Sequence, residues 1–345
     1  MQNVSLIFFL LLGLTAKSQG YYYPPNQGSA WDTLSPQSLN WCSENIDSLY
    51  LFLEANQTKA FVLLKDGKIV LERYFDGFAA DDSWYWASAG KTMSATLVGL
   101  AQEQGYLSIQ DSTSAYLGSG WTSLTPAQEK DITIWHQLTM TSGLDDGVPQ
   151  SGCMEDSCLQ YLAPAGQRWA YHNAPYTLLD SVVYRATGNN MNQWFQNTLK
   201  SPLGMDGVFL PVSGANVFFS TARSMARFGL FLLSEGAWNG TQLMQDTGYF
   251  HDMIRPSQAL NRSYGYLFWL NGQNGYMLPQ LQFQFPGWIN PNAPADMYAG
   301  LGKNAQMLNI VPSQGLVFVR MGDAPPGASG AVSISFNDVV WEYIN

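Results

Sequence analysis

The stretch Trp84-Tyr85-Trp86-Ala87-Ser88-Ala89-Gly90-Lys91-Thr92-Met93 decides how the rest of the chain is read. The residues that follow carry Met93, Leu97, Leu100 and Ala101 at helical spacing as far as about Gln104, and Gly105 supplies a stop. This predicts a helix led by Ser88, on which Lys91 shares the face of the serine. A serine hydroxyl is a weak nucleophile until a base removes its proton, and an amine in a partly dry pocket can do so. The unpaired N–H groups at the helix start favour negative charge developing on a substrate. Ser88 and Lys91 therefore read as a nucleophile and its activating base. Ser-x-x-Lys alone occurs by chance in many chains of this length, so its weight depends on partners elsewhere. The overlapping Ala89-Gly90-Lys91-Thr92 mimics the end of a phosphate-binding loop, but Tyr85 stands where that loop needs glycine. The nucleotide reading fails on that ground.

Upstream lies a hairpin: Lys59 to Lys65 as a strand, Asp66-Gly67 as a two-residue turn, and Lys68 to Phe75 as the return. A helix from about Ser43 precedes it, with Ile46, Leu49, Tyr50 and Leu53 on one face. Tyr21 to Pro36, rich in Tyr, Pro and Asn, reads as an extended arm laid on the body. Beyond Asp111, Thr133–Met140, Tyr176–Thr187, Met191–Leu199 and Thr221–Glu235 read as helices joined by Gly/Pro/Asn-rich loops. Strand signals return at Gln306–Val311 and Leu316–Met321. A last helix, Phe336–Ile344, is opened by Ser335 with Asp338 three residues on, the pattern of a capping box. The expected class is α/β (α+β): a sheet flanked by helices, in one domain over residues 19–345. Its sheet lobe comes from about 43–110 and 296–345, and a mostly helical lobe, about 111–295, is inserted between the two halves.

A length of 345 residues allows one large or two smaller domains, and 46% hydrophobic content excludes global disorder. The formal net charge of −10 comes without any basic stripe, which argues against nucleic acid as a partner. Leu6 to Thr15 is apolar but too short to span a bilayer, and fits the core of a secretory signal. Ala16 and Ser18 suit cleavage after residue 18, although no Lys or Arg precedes the run. The expected location is periplasmic or secreted, with no stable membrane insertion once the signal is removed. Cys153 and Cys158 bracket four residues and can close a small loop in an oxidising compartment. A metal site there would need more ligands, and His172 is the only close histidine, so a disulfide is expected and no metal. Cys42 is left unpaired and is expected to be buried.

Arg168-Trp169-Ala170-Tyr171-His172-Asn173 follows Ser88 by some eighty residues. Ser-x-x-Lys on a helix, then Tyr-x-Asn, then a glycine-bearing strand near the C-terminus resembles the class C β-lactamase and penicillin-binding-protein superfamily of serine hydrolases. The order and spacing match over essentially the whole mature chain. His136-Gln-Leu-Thr-Met-Thr-Ser-Gly-Leu144 and Ser220-Thr-Ala-Arg-Ser-Met-Ala-Arg-Phe-Gly229 are similar to that family as well. The resemblance implies an antiparallel sheet in a β-lactamase/transpeptidase-like fold and a reaction without cofactor. It makes Ser88 the acylated nucleophile, Lys91 its activator and Tyr171 a phenolate-like base or proton relay. Asn173 would hold Lys91 and the substrate amide. The chemistry agrees: a Lys91 cation would lower the Tyr171 pKa while burial lowers that of the lysine, so the pair could pass one proton. The plain alternative for Tyr171 is a packed aromatic in an aromatic-rich chain, and His136, His172 and His251 read as structural.

The third motif departs from the family. Where Lys or His, then Thr or Ser, then Gly is usual, this chain has Gly300-Leu301-Gly302, followed by Lys303-Asn304. A backbone N–H near Gly302 or Lys303 could still complete an oxyanion hole with that of Ser88. The cation and hydroxyl that grip a β-lactam carboxylate are missing, unless Lys303 supplies the charge from the next position. Similar departures occur in relatives that cleave esters or linear amides, including 6-aminohexanoate-dimer hydrolases. The expected activity is thus hydrolysis of an ester or amide, on a small molecule or short peptide, through a Ser88 acyl-enzyme. A true β-lactamase or D-Ala-D-Ala carboxypeptidase is the rival enzyme. A catalytically silent relative that binds cell-wall peptides or a protein is the rival of another class.

Overall fold

Six strands form the central sheet: β1 (Thr58–Lys65), β2 (Lys68–Tyr74), β3 (Trp269–Leu270), β4 (Tyr298–Leu301), β5 (Met307–Val311) and β6 (Leu316–Gly322). Their order is β2-β1-β6-β5-β4-β3, and every neighbouring pair is antiparallel. The computed structural model describes residues 20–150, 152–327 and 332–344. The hairpin forms where expected, because Asp66 (φ 51°) and Gly67 (φ 85°) supply the two left-handed positions that its turn requires. The expected signal segment, residues 1–18, lies outside the described residues. No helix among the described residues is long and apolar enough to cross a membrane.

Helices cover both faces of the sheet, α1 (Ser43–Ala55) and α4 (Ile334–Ile344) on one and α3 (Ala222–Leu233) on the other, while α2 (Lys91–Glu103) starts beside β4. On β6, Phe318 points one way to Trp341 of α4, with ring centroids 5.1 Å apart. Val317 points the other way, under Gly229 of α3. Phe52 of α1 stacks on Phe336 of α4 at 5.1 Å, which locks that layer. Coverage on both sides explains why Phe61–Leu64 and Val317–Met321 are continuously buried rather than alternating. α2 is buried from Lys91 to Ala101, with Gly105 (φ 75°) just past its end. The N-terminal arm runs along β2, with Thr33 bridging to Ile69 and Leu34 N donating to Ile69 O at 2.8 Å.

Several expectations change in detail. The mostly helical segment also carries strands: Val208–Val212 and Ala215–Ser220 pair with each other, and Trp84–Tyr85 from the preceding part of the chain completes a three-stranded sheet. Within the same segment α3 packs on the central sheet and β3 forms its edge, so the two lobes interleave well before residue 296. Periodicity identifies a helix or strand but not the layer it joins. The expected helix Tyr176–Thr187 is two pieces, Asn173–Thr177 and Leu179–Thr187. The last helix starts at Ile334, so Ser335 is already inside it. Asp338 instead accepts from the Asn292 backbone N (2.9 Å) and side chain (3.0 Å), and no capping box forms there.

Cys153 and Cys158 are joined, with Cα atoms 5.9 Å apart. Cys42 is exposed rather than buried, because it immediately precedes α1 on the outer surface, where its thiol donates to Glu44 Oε2 at 2.8 Å. Iodoacetamide applied to the native, unreduced protein should therefore add one label, at Cys42. Intact mass reads the outcome, and three labels would refute the pairing.

Candidate active site

Ser88 owes its place to a short, tightly held entry. Trp84 and Tyr85 pair with Ser220 and Phe219, and Trp86 N then donates to Phe218 O at 2.8 Å. The Trp86 indole is fully buried and its Nε1 donates to Ser220 Oγ at 2.8 Å. Ala87 is left-handed at φ 46°, a conformation that a residue with a Cβ adopts only where its surroundings enforce it. One tight helical turn, Ala87–Gly90, runs directly into α2 and leaves Ser88 half-buried at its start.

Lys91, the first residue of α2, is 4% exposed, and its Nζ stands 2.9 Å from Ser88 Oγ. Among the described residues no carboxylate forms an ion pair with it. Its company is aromatic: Nζ lies 5.0 Å from the Tyr171 ring centroid and 4.4 Å from that of Tyr176. Burial lowers its pKa to about 7. Near neutral pH the amine is thus available in the neutral form that accepts a proton.

Tyr171 arrives on a segment clamped by Ala170 N donating to Met140 O at 2.9 Å. Its ring stacks on Trp269 of β3 (5.8 Å, 18°) and meets Tyr264 edge-on at 6.1 Å. Burial raises its phenol far above the ordinary tyrosine value, and a hydrogen bond from Ser88 opposes this only in part. The expected lowering by a Lys91 cation does not occur. The physical reason is that the same dry surroundings discharge the lysine and penalise the phenolate. Tyr171 is thus held as a protonated hydroxyl rather than a phenolate.

Asn173 departs from its expected position. It opens the helix Asn173–Thr177 with its side chain exposed, and only its backbone carbonyl is engaged, by Thr177 Oγ1 at 2.9 Å. No hydrogen bond joins it to Lys91. Tyr176 takes the place beside the amine, its hydroxyl 3.2 Å from Ser94 Oγ on α2. Nothing in the sequence pattern separates Tyr176 from the other 17 of the chain's 18 tyrosines; only the fold brings it to α2. His172 is buried (2% exposed). Asp146 is paired with Arg168 at 2.6 Å.

The third motif passes directly against the nucleophile. A Cβ at Gly302 would lie 2.7 Å from Trp86 O and 3.0 Å from Ala89 N, so only glycine allows β4 to approach this closely. The Gly302 N–H is already spent on Gln306 O at 2.8 Å, so Gly302 acts by shape. Lys303 opens the following turn, where its N–H has no acceptor within the turn, as is true of Ser88 in its own. The Lys303 side chain is exposed and in no ion pair among the described residues. A concavity of about 890 Å³ elsewhere, under the N-terminal arm, is lined by Arg223, Arg227 and Asp206. Arg223 is paired with Glu72, Arg227 donates to carbonyls of Leu203 and Pro25, and Asp206 caps Thr221. Those three groups are thus satisfied by partners in the protein.

Comparison with known proteins bears on the fold and the family. An uncharacterized protein of Alkalihalophilus pseudofirmus is 24% identical over 296 residues, covering 75% of this chain and 81% of that one. A Bacillus anthracis protein assigned as a 6-aminohexanoate-dimer hydrolase superposes with TM-score 0.71 at 18% identity, over 93% of this chain and 88% of its own. A family VIII carboxylesterase does so with TM-score 0.64 at 15% identity, over 88% and 97%. At such identities the superpositions show the shared fold alone. The family model for Beta-lactamase matches residues 54–333, which contain Ser88, Lys91, Tyr171 and Gly302. That match spans most of the chain, and the chain belongs to the Beta-lactamase family of serine hydrolases.

Proposed function

We propose that this protein is an exported hydrolase that cleaves an ester or linear amide of a small molecule or short peptide through an acyl-enzyme on Ser88. The observation that carries the reading is the buried Lys91 amine, 2.9 Å from the Ser88 hydroxyl and without a carboxylate partner. Neutral Lys91 takes the Ser88 proton as Oγ attacks the substrate carbonyl. The developing oxyanion is received by the backbone N–H groups of Ser88 and Lys303, both free of acceptors in their own turns. The proton returns to the leaving group through the Tyr171 hydroxyl, which the Trp269 stack holds in place. Water then attacks the ester on Ser88, with the same groups working in reverse. Export is supported by the apolar run before residue 18 and by the Cys153–Cys158 pair.

A true β-lactamase or D-Ala-D-Ala peptidase is the second reading, favoured by the family itself. It needs a cation to grip a carboxylate, and the exposed Lys303 side chain, with no partner to aim it, is a poor one. A silent binding relative would have no use for a lysine buried against a serine. We expect ester or linear-amide turnover well above that of nitrocefin. Parallel kinetics on p-nitrophenyl esters, short ω-amino-acid amides and nitrocefin check this. A nitrocefin kcat/KM near 10⁶ M⁻¹s⁻¹, roughly the efficient-enzyme range, would sink it.

A further inference from the structure

Arg320 lies on β6 with 0% exposure, yet no carboxylate forms an ion pair with it among the described residues. A buried guanidinium is costly unless its donors are used, and here they are used on neutral oxygens. Nη1 donates to Asn304 O (2.6 Å) and Ala305 O (3.1 Å), Nη2 to Asn56 O (2.7 Å), and Nε to Thr58 Oγ1 (3.0 Å). Two of those oxygens belong to the turn that follows Gly302. That turn contains two consecutive left-handed residues with side chains, Asn304 (φ 61°) and Ala305 (φ 56°). Such a pair persists only when its surroundings enforce it. Arg320 holds the two carbonyls and Ser333 Oγ accepts from Ala305 N at 3.1 Å. The Asn304 side chain donates to Tyr85 OH at 2.7 Å, tying the turn to the strand that leads into Ser88.

We infer that Arg320 is a positioning residue for catalysis: by clamping the Asn304 and Ala305 carbonyls it fixes the turn that presents the Lys303 N–H to the oxyanion. This rests on the reading of Ser88 and Lys303 as the oxyanion donors. A rigid planar fork suits the task, because it binds both carbonyls in one geometry, which an ammonium does not reproduce. The plain alternative is that Arg320 only ties the end of α1 and the start of β1 to the sheet, through Asn56 and Thr58.

Arg320→Lys, made in the full mature chain, separates the two. A positioning role predicts a kcat on a p-nitrophenyl ester reduced by roughly 10- to 100-fold, the partial loss of an oxyanion donor. KM should stay within about twofold, because the lost interaction is made in the transition state. The acid limb of the pH profile should not move, because Lys91 is untouched. Thr58→Val removes the Nε acceptor but leaves the turn contacts, so it should lower Tm while leaving kcat within about twofold. If Arg320→Lys does not fold, Ser333→Ala loosens the same turn without stranding a charge, and unchanged kcat there overturns the assignment. So does an Arg320→Lys kcat within twofold of wild type, or a loss that vanishes on cooling in step with regained folding. A wild-type protein that takes no phosphonate at Ser88 overturns this inference together with the reading it rests on. An active wild type with an unaffected Arg320→Lys overturns only the role of Arg320.

Discussion

Replacing Ser88 by alanine should lower kcat by roughly 10³-fold or more and abolish the covalent adduct that an activated phosphonate leaves on the peptide containing Ala87-Ser88-Ala89. Lys91→Ala should fall nearly as far, because it removes the amine that lies 2.9 Å from the Ser88 hydroxyl. Tyr171→Phe is the more discriminating change. It keeps the ring that stacks on Trp269 and deletes only the hydroxyl, so a large loss reports proton transfer rather than packing. The Lys91/Tyr171 double mutant should lose little more than either single one. Both act on one proton transfer, and once one group fails the other has nothing to assist. Peptide mapping of the adduct and steady-state kinetics on one ester read all four variants. Additive losses, or an adduct on another serine, would mean that the Ser88–Lys91–Tyr171 set is not the machinery.

The parts of the site that were legible in the sequence are those fixed by local geometry. Ser88 and Lys91 are three residues apart on a helix start, and a helix brings such residues together whatever surrounds it. The Asp66-Gly67 turn was legible for the same reason, since few residue pairs accept two left-handed positions in succession. Tyr171 is legible only through motif order, and its protonation state is not legible at all. Counting a neighbouring charge is possible from sequence, whereas the depth of burial that outweighs it is not. Tyr176 rather than Asn173 lies beside Lys91 because the chain turns into a helix at Asn173, which leaves that side chain exposed and brings Tyr176 to α2. The Arg320 network was invisible for a different reason: it joins Asn56, Thr58 and Asn304, which lie on opposite ends of the sequence and meet only through the β1–β6 pairing.

The titration of Lys91 should be visible in both activity and stability, with opposite demands on the residue. For activity, kcat/KM should rise with pH through about 7 as the buried amine loses its proton, and should show no descending limb below roughly pH 10, because Tyr171 is held protonated. For stability, the sign follows from the folded pKa of about 7 lying below the ordinary 10.5. Below about pH 7 the amine is charged in both states, and the whole cost of burying that charge weighs on the folded protein. Between about 7 and 10.5 the unfolded chain binds the extra proton, so stability climbs with pH by up to about 1.4 kcal/mol per unit. Above 10.5 both forms are neutral and the cost is gone. Lys91→Met keeps the stem and removes the charge, so at pH 6 it should raise Tm by a few degrees, a gain that shrinks toward zero at alkaline pH. The same variant should be inactive. Calorimetry of both proteins at pH 6, 8 and 10 measures the effect. A methionine variant less stable than wild type at pH 6 would show that Lys91 is stabilised as a cation, and that some group other than this lysine must deprotonate Ser88.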